Sequence, residues 1–409
     1  MEHPIESISV KLRSNEENVT IPLGGNNLIV VGDNGAGKTN FLNRIYFWLN
    51  RFYQYHDVYC IEVIQKQAEN YRQQLSHFNK DSQNYVNYQN NYNNEMEKIR
   101  DLEALNVLFS SPTLFKREIT HKKLLLKFFQ AHRKYESHQA NQLTSIDSLF
   151  QSYNNNIDNN QQDASNIFES FLVSMSNYAL IQKGSENFSE FRRVEKVINL
   201  IEEDIRDLLE SDDLKLHYNL NTLRMEILKE KREPLGFQML PSGFASILAI
   251  YAELIMHAEL RKIEKENLEG IVIIDEIDAH LHVTLQKKVF TFFAKSFPGI
   301  QFLISTHSPF VVQSVSDAVI FNLSTKETMK DLSLYSYTSI ISGLLGEATS
   351  SEELNSLLSE IDMLARNNDF NDRYVELSNI LEKNIEKMDA KSKSILLIAQ
   401  NKFTDWEEN

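Results

Sequence analysis

The sequence predicts an α/β fold: a β-rich segment with a glycine-rich loop, a large helical insertion, a β/α core that completes the same domain, and a helical region after it. Three observations carry that prediction. The glycine-rich stretch "GDNGAGKT" (residues 32–39) lies between the apolar run "NLIVV" and the helical pattern "NFLNRIYFWLNRF". Two further apolar runs end in polar residues suited to chemistry, "IVIIDEID" and "FLISTHSPF". Between these landmarks, residues 65–213 are rich in Asn, Gln, Lys and Glu and almost devoid of glycine, as expected of helices rather than turns and strands.

Each element follows from local pattern. "ISVKL", "VTIPL" and "NLIVV" are short, β-rich and separated by polar or glycine-rich breaks, which is the grammar of strands. In the insertion, Phe168, Phe171, Leu172 and Met175 recur at helical spacing, as do Ile198, Ile201, Ile205 and Leu208. "NNNIDNNQQD" (154–163) reads as a low-complexity connector. Strand patterns return with "LKLHYNL", "EGIVIIDEID" and "IQFLISTHSPF", and residues 243–262 between them read as a helix. In the last region, Ser350 and Glu353 form an S-x-x-E capping box ahead of Leu354, Leu357, Leu358, Ile361 and Leu364. The resulting division is 1–64 and 214–324 as two halves of one α/β domain, 65–213 as the helical insertion and 325–409 as the helical C-terminal region.

Composition narrows the function classes. At 409 residues with 42% hydrophobic and 24% charged content, the chain reads as soluble and globular. A single cysteine, Cys60, excludes a disulfide framework and a Cys-based zinc site and fits a reducing cytosol, so a cytoplasmic location is expected. The start "MEHPIESISV" has neither the basic nor the apolar region of a signal peptide, and "ASILAIYAELIMHAEL" is interrupted by Glu253, His257 and Glu259, so no membrane association is expected. A net charge of −15 argues against a surface built throughout to coat nucleic acid.

The candidate site is assembled from three stretches. Gly32, Asn34, Gly35, Gly37, Lys38 and Thr39 satisfy G-x-x-x-x-G-K-[ST], with a strand before and a helix after. Glycines let the backbone amides wrap an anion, and the following helix offers its positive end to the same phosphates. Lys38 is expected to neutralise β- and γ-phosphate charge and Thr39 to hold Mg²⁺. Asp275 and Glu276 emerge at the C-terminal end of a buried strand, where ligands bind in α/β sheets. Asp275 is expected to bind the metal through water, and Glu276 to orient or polarise the attacking water. His307 follows "LIST" directly, at a strand end from which a histidine in a phosphate site can reach the γ-phosphate and the nucleophile, and Ser308-Pro309 reads as an N-cap and first helical residue. His280 and His282 lack further ligands at zinc spacing and read as part of the loop after Asp275-Glu276.

In this order, "GDNGAGKT", "LPSGF", "DEIDAHLH" and "STHSPF" resemble the ABC-type ATPases, more narrowly the soluble RecF, Rad50 and OLD-like branch often filed with AAA-type ATPases. The resemblance covers residues 5–64 and 214–324. It implies an ABC-type head, with a mixed-sheet core around the phosphate loop and an N-terminal antiparallel β lobe, in which two copies sandwich two ATP molecules, each held by the phosphate loop of one copy and the signature motif of the other. Ser242 and Gly243 match that signature and Asp278 matches the loop that meets its twin across the dimer. The sequence departs from L-S-x-G-[QE]: Pro241 stands in the second place, the hydroxyl falls at Ser242, and Phe244 replaces the polar fifth residue. The expectation is therefore slow hydrolysis, or an ATP that acts mainly as a clamp. The Q-loop glutamine of such ATPases is not assignable among the many in the insertion.

The resemblance implies ATP and Mg²⁺ as cofactors, a homodimer or higher homo-oligomer of heads, and an effector in trans, commonly a nuclease. It is nearest to the ATPase subunits of bacterial anti-phage systems of the Septu- and retron-associated kinds. A DNA-repair ATPase of the RecF or Rad50 kind is the alternative, against which stand the short insertion, the missing zinc hook and the acidic charge. A transporter's nucleotide-binding subunit would carry a signature nearer LSGGQ and an aromatic residue where Val10–Leu12 has none. A nuclease within the same chain would need a D-x-D after a strand, which residues 325–409 lack. The basic stretch 116–134 has two readings: a contact with nucleic acid or an acidic partner, or a solvated helix face with Phe128 and Phe129 packed inward.

Overall fold

The computed structural model describes residues 3–12, 18–55, 60–80, 82–120, 123–133, 144–149, 151, 167–230, 233–332, 335, 337, 340–341, 352–385, 388 and 390–407. The chain forms two units, Met1–Leu334 and Tyr335–Asn409. The connector at 154–163 and Ser350 of the capping box lie outside the described residues.

Three sheets organise the first unit. An antiparallel lobe has the order β2 (Val19–Pro22), β1 (Ile5–Val10), β4 (Leu105–Phe109). The central six-stranded sheet has the order β12 (Glu327–Lys330), β11 (Ala318–Asn322), β3 (Asn27–Val31), β10 (Ile300–Ser305), β9 (Gly270–Ile274), β5 (Leu125–Phe129). Its strands run parallel except β12, which is antiparallel to β11. A third antiparallel sheet joins β6 (Lys215–Asn219), β7 (Arg224–Leu228) and β8 (Leu235–Gly236). Strands β3, β9 and β10 are buried along their whole length, which is why they read as unbroken apolar runs rather than alternating ones.

Helix α1 (Lys38–Tyr55) leaves β3 through the glycine-rich loop. Its residues Phe41, Ile45, Leu49 and Phe52 fall on one face and are buried. That face joins the lobe and the central sheet in one core containing Ile8, Val30, Phe109 and Phe115, and the Phe109 and Phe115 rings stack at 3.9 Å. The start of α1 is thus held against two sheets at once. A helical hairpin follows, α2 (Cys60–Leu75) and α3 (Gln83–Glu103), and then α4 (Pro112–Thr120).

Residues 65–213 differ from the all-helical expectation. They contain β4, which completes the lobe, and β5, which forms one edge of the central sheet. Among its described residues, the basic stretch 116–134 is accordingly the end of α4, then β5 and the residues just after it, not one helix face. The short run "LLKFF" is apolar and aromatic without helical period, and pairing with β9 decides its state. Past this point, α5 (Phe168–Gly184) and α6 (Phe188–Leu209) carry the anticipated faces. Phe168, Phe171, Leu172 and Met175 are buried on α5, and Ile201, Ile205 and Leu208 on α6, where Val194 is buried and Ile198 only partly so. The last region also begins with a strand, since β12 falls within 325–409.

Helix α7 (Ser242–Leu260) is apolar on all sides and buried inside the first unit. It is long and apolar enough to cross a membrane by length and composition alone, but an all-round apolar helix is equally the core helix of a large domain. Glu253 in its middle is paired with Lys127 of β5 at 2.7 Å. Burial raises the Glu253 carboxyl, and Lys127 and His257 outweigh it, so the net displacement is downward.

In the second unit, α11 (Glu352–Arg366), α12 (Asp372–Lys383) and α13 (Ala390–Glu407) share a core of Ile361, Leu377 and Leu396. Leu358, Ile361 and Leu364 are buried, and Leu354 and Leu357 pack at the margin. Tyr374 Oη donates to the carbonyl of Ala399 at 2.9 Å, and Asn371 caps α12 through Tyr374 N–H.

Candidate nucleotide site

The loop from Gly32 to Gly37 joins β3 to α1 at the C-terminal ends of the parallel strands. Gly32, Gly35 and Gly37 have φ of 144°, 81° and 93°, a region glycine enters without penalty. At Gly32 space matters too, because a Cβ would lie 3.1 Å from Ser324 Oγ, the hydroxyl that accepts from Asp33 N–H at 3.0 Å. Around Gly35 and Gly37 a Cβ would meet nothing within 4 Å, so those two glycines line open space. A cavity of about 550 Å³ lies there, bordered by Asp33, Gly35, Leu12, Arg44 and Lys326, a size that suits a small-molecule ligand. A second cavity of about 360 Å³ borders Pro4, Phe115, Gly270 and Gly299, at the opposite ends of β9 and β10. None of the expected site residues lines it.

Lys38 opens α1 and is 6% exposed. Its ammonium donates to the carbonyls of Gly32 at 2.8 Å and Asp33 at 3.1 Å. Burial lowers its pKa, while the carboxylates of Glu276, Asp275, Asp33 and Asp278 oppose that shift. Residues more than 200 positions apart therefore share one electrostatic site. Thr39 is exposed beside Lys38 on the first turn of α1.

Two neighbouring strands hold the acids. Ser305 at the end of β10 donates from Oγ to Asp275 Oδ1 at 2.5 Å and accepts from Glu276 N–H at 2.8 Å. Thr306 Oγ1 donates to Asp278 Oδ1 at 2.5 Å. The residues before the expected switch histidine thus position both Asp275 and Asp278, a role not read from the sequence. Glu276 has φ +46°, a left-handed backbone that costs of order 1–3 kcal/mol and persists where surroundings over-determine it. His307 is half-buried directly after this pair. Ser308 caps the next helix, α10 (Pro309–Gln313), accepting from Phe310 N–H at 3.1 Å, with Pro309 first in the helix as expected.

The signature stretch begins α7. Pro241 occupies the N-cap position with no side-chain cap, and Ser242 is the first helical residue, exposed. The departure from the usual motif is therefore physical: proline stands where a hydroxyl would cap the helix. Gly243 is buried against the loop after Asp275-Glu276, where a Cβ would lie 2.3 Å from the His280 carbonyl oxygen. His280 has φ +63° and belongs to that loop's own turn. Gly243→Ala should destabilise the chain by about 1–3 kcal/mol, as for other overpacked sites. Urea unfolding measures it, and a midpoint equal to wild type would contradict the close approach.

Two residues escaped the sequence reading. Gln130 follows β5 immediately, next to the strand that carries Asp275, and is exposed. Arg133 donates to the carbonyls of Asp275 at 2.7 Å and Glu276 at 2.9 Å. The only available signal was a short aromatic run ending in "QAHR". Other cations of 116–134 are also paired within the fold: Arg117 and Lys123 with Glu118, and Lys127 with Glu253. His282 caps a single helical turn, α8 (Val283–Gln286), through Thr284, ahead of α9 (Val289–Ser296). Among the described residues no group of three or more His, Cys, Asp or Glu side chains is disposed to hold a metal ion.

Sequence comparison places this geometry. The family described as "AAA domain, putative AbiEii toxin, Type IV TA system" matches residues 28–313, more than half of the chain. The chain belongs to that family. The match runs from β3 through α10, so this AAA-domain chain carries the phosphate loop, the signature stretch and both acidic and histidine-bearing turns inside it. It is similar to a retron Vc95 probable ATPase of Vibrio cholerae, 31% identical over 36% of this chain and 29% of that one. It is also similar to the Septu protein PtuA of Bacillus thuringiensis, 34% identical over 22% of this chain and 24% of that one. The chain thus spans less than a third of the length of either relative. Among solved structures, an SMC head bound to the C-winged helix domain of ScpA overlaps 81% of this chain and 98% of its own, with 14% identity and a TM-score of 0.39.

Proposed function

We propose that this chain is an ATP-binding and slowly hydrolysing ATPase of the ABC head type, which pairs head to head across ATP and regulates a separate effector in anti-phage defence. The observation that carries the reading is the shared electrostatic site of Lys38 with Asp275, Glu276 and Asp278 beside an open glycine cradle. The names of the retron and Septu relatives support the defence setting, and a nuclease is the kind of effector we assign to it.

The residues fit the implied cofactors. Thr39 and Asp275 offer a hydroxyl and a carboxylate, hard oxygen ligands of the type Mg²⁺ takes with phosphate oxygens and water. When bound, the metal would neutralise charge on the β- and γ-phosphates. Lys38 leaves its loop carbonyls to meet the same phosphates, and the amides of the loop surround them. Glu276 accepts the proton of the attacking water and His307 orients it. We assign Gln130, exposed directly after the neighbouring strand, as the glutamine that would contact the same water or metal. Ser242 and the uncapped amides of α7 face the nucleotide of a second copy, and Asp278 meets that copy's loop. Proline at the cap position weakens that closing contact, which gives the low turnover.

The test is nucleotide-dependent self-association together with steady-state hydrolysis on the purified chain. We expect dimers with Mg–ATP and monomers without it, and turnover below about 1 s⁻¹, against a typical enzyme value of about 10 s⁻¹. A monomer under all nucleotide conditions would overturn the head-to-head reading. Fast hydrolysis with no partner present would overturn the slow switch.

A further inference from the structure

Arg133 joins three elements that the proposed reaction must keep in register. Its Nε donates to Ser246 Oγ on α7 at 3.0 Å. Its Nη1 donates to the carbonyls of Asp275 at 2.7 Å and Gln130 at 2.8 Å, and its Nη2 to the carbonyl of Glu276 at 2.9 Å. A guanidinium has five N–H donors in a rigid fork, and four of them are used in this way. The side chain is spent on backbone carbonyls and one hydroxyl, not aimed at phosphate.

The acceptors are telling. Ser246 lies one helical turn after Ser242 and is 2% exposed, so it moves with the signature end of α7. Asp275 and Glu276 carry the acids of the site, and Glu276 is in the left-handed conformation. With N–H tied to Ser305 Oγ and C=O to Arg133, the peptide planes on both sides of Glu276 are pinned. Its carboxylate has no hydrogen bond among the described residues, so the backbone alone aims it.

We infer that Arg133 is a positioning residue that couples the signature helix α7 to the orientation of Glu276, so that docking of a second copy on the exposed Ser242 at the start of α7 sets the general base. This rests on the proposed ATPase reading and adds to it a route between the two ends of the site. A second copy displaces or steadies α7; Ser246 carries that through Nε; the fork turns the carbonyls of Asp275 and Glu276. Lysine keeps the charge but, as a point charge with three donors, does not span the same acceptors.

The experiment compares Arg133→Lys, Arg133→Ala and Ser246→Ala with wild type, measuring ATP Kd, KM, kcat per ATP-binding chain and unfolding temperature. We expect Arg133→Lys and Arg133→Ala to lower kcat at least tenfold with ATP Kd within about twofold of wild type. Ser246→Ala, which cuts only the link to α7, should lower kcat about threefold or more while the unfolding temperature stays near wild type. Normalising to ATP-binding chains removes any loss through misfolding. Wild-type kcat in both Arg133→Lys and Ser246→Ala overturns the coupling. So does a loss of ATP affinity in step with kcat, which marks a merely structural residue. A wild-type chain that neither binds nor hydrolyses ATP overturns the function reading itself, and that outcome is distinct from the other two.

Discussion

Lys38→Ala should remove ATP binding at ordinary protein concentrations, by roughly 30- to 150-fold or more in Kd. That range corresponds to losing a charge-assisted contact worth about 2–3 kcal/mol. The structure adds a second reason. Lys38 is a cation that feels Asp275, Glu276 and Asp278, and Arg133 is another. Without Lys38 the balance at the loop shifts toward negative charge facing a polyanion, and repulsion adds to the lost contact. The fold should survive, because the ammonium's present acceptors are two loop carbonyls at 2.8 and 3.1 Å, on a loop open enough for water to replace it. Calorimetric titration with Mg–ATP, with circular dichroism as a folding control, measures the effect. Wild-type affinity in a folded Lys38→Ala chain would remove the phosphate loop from the mechanism.

Glu276→Gln should behave in the opposite way: ATP binds, hydrolysis falls by about 10²- to 10⁴-fold, the range for a lost general base, and the ATP-bound dimer accumulates. Glutamine keeps the side chain's shape, and its backbone can hold the same φ of +46° with the N–H still donating to Ser305 Oγ. The change is thus confined to charge and basicity. Removing one negative charge near Lys38 also favours the triphosphate, so affinity should equal or exceed wild type. Sedimentation in the presence of Mg–ATP reads the trapped dimer, and a phosphate-release assay reads the rate. Equal ATP affinity in Lys38→Ala and Glu276→Gln would contradict the separate roles given to the two residues.

Much of this site was legible because its pieces are local. The glycines of 32–37, the lysine after them and the acids ending an apolar run each follow from what a few consecutive residues can do, and β3, β9, β10 and α7 appear where pattern put them. Where the pattern misled, a strand was too short to declare itself. "LNVLF" and "LLKFF" sit among helices and charged residues, and their state was settled by partners more than 90 residues away in sequence, β1 for one and β9 for the other. That difference matters for function, because β5 delivers Gln130 and Arg133 to the site.

By itself the sequence determined the chemistry available: a glycine-rich loop with a lysine after it, two acids and a histidine, each placed by the short segment that carries it. Only the tertiary structure decided which side chains hold those groups in place. Ser305, Thr306 and Arg133 act through hydrogen bonds that span 28 to 143 positions, and no local periodicity encodes such pairs. Helix period and strand alternation report burial against a neighbouring face, whereas a hydrogen bond between distant loops depends on where two chain segments end after packing.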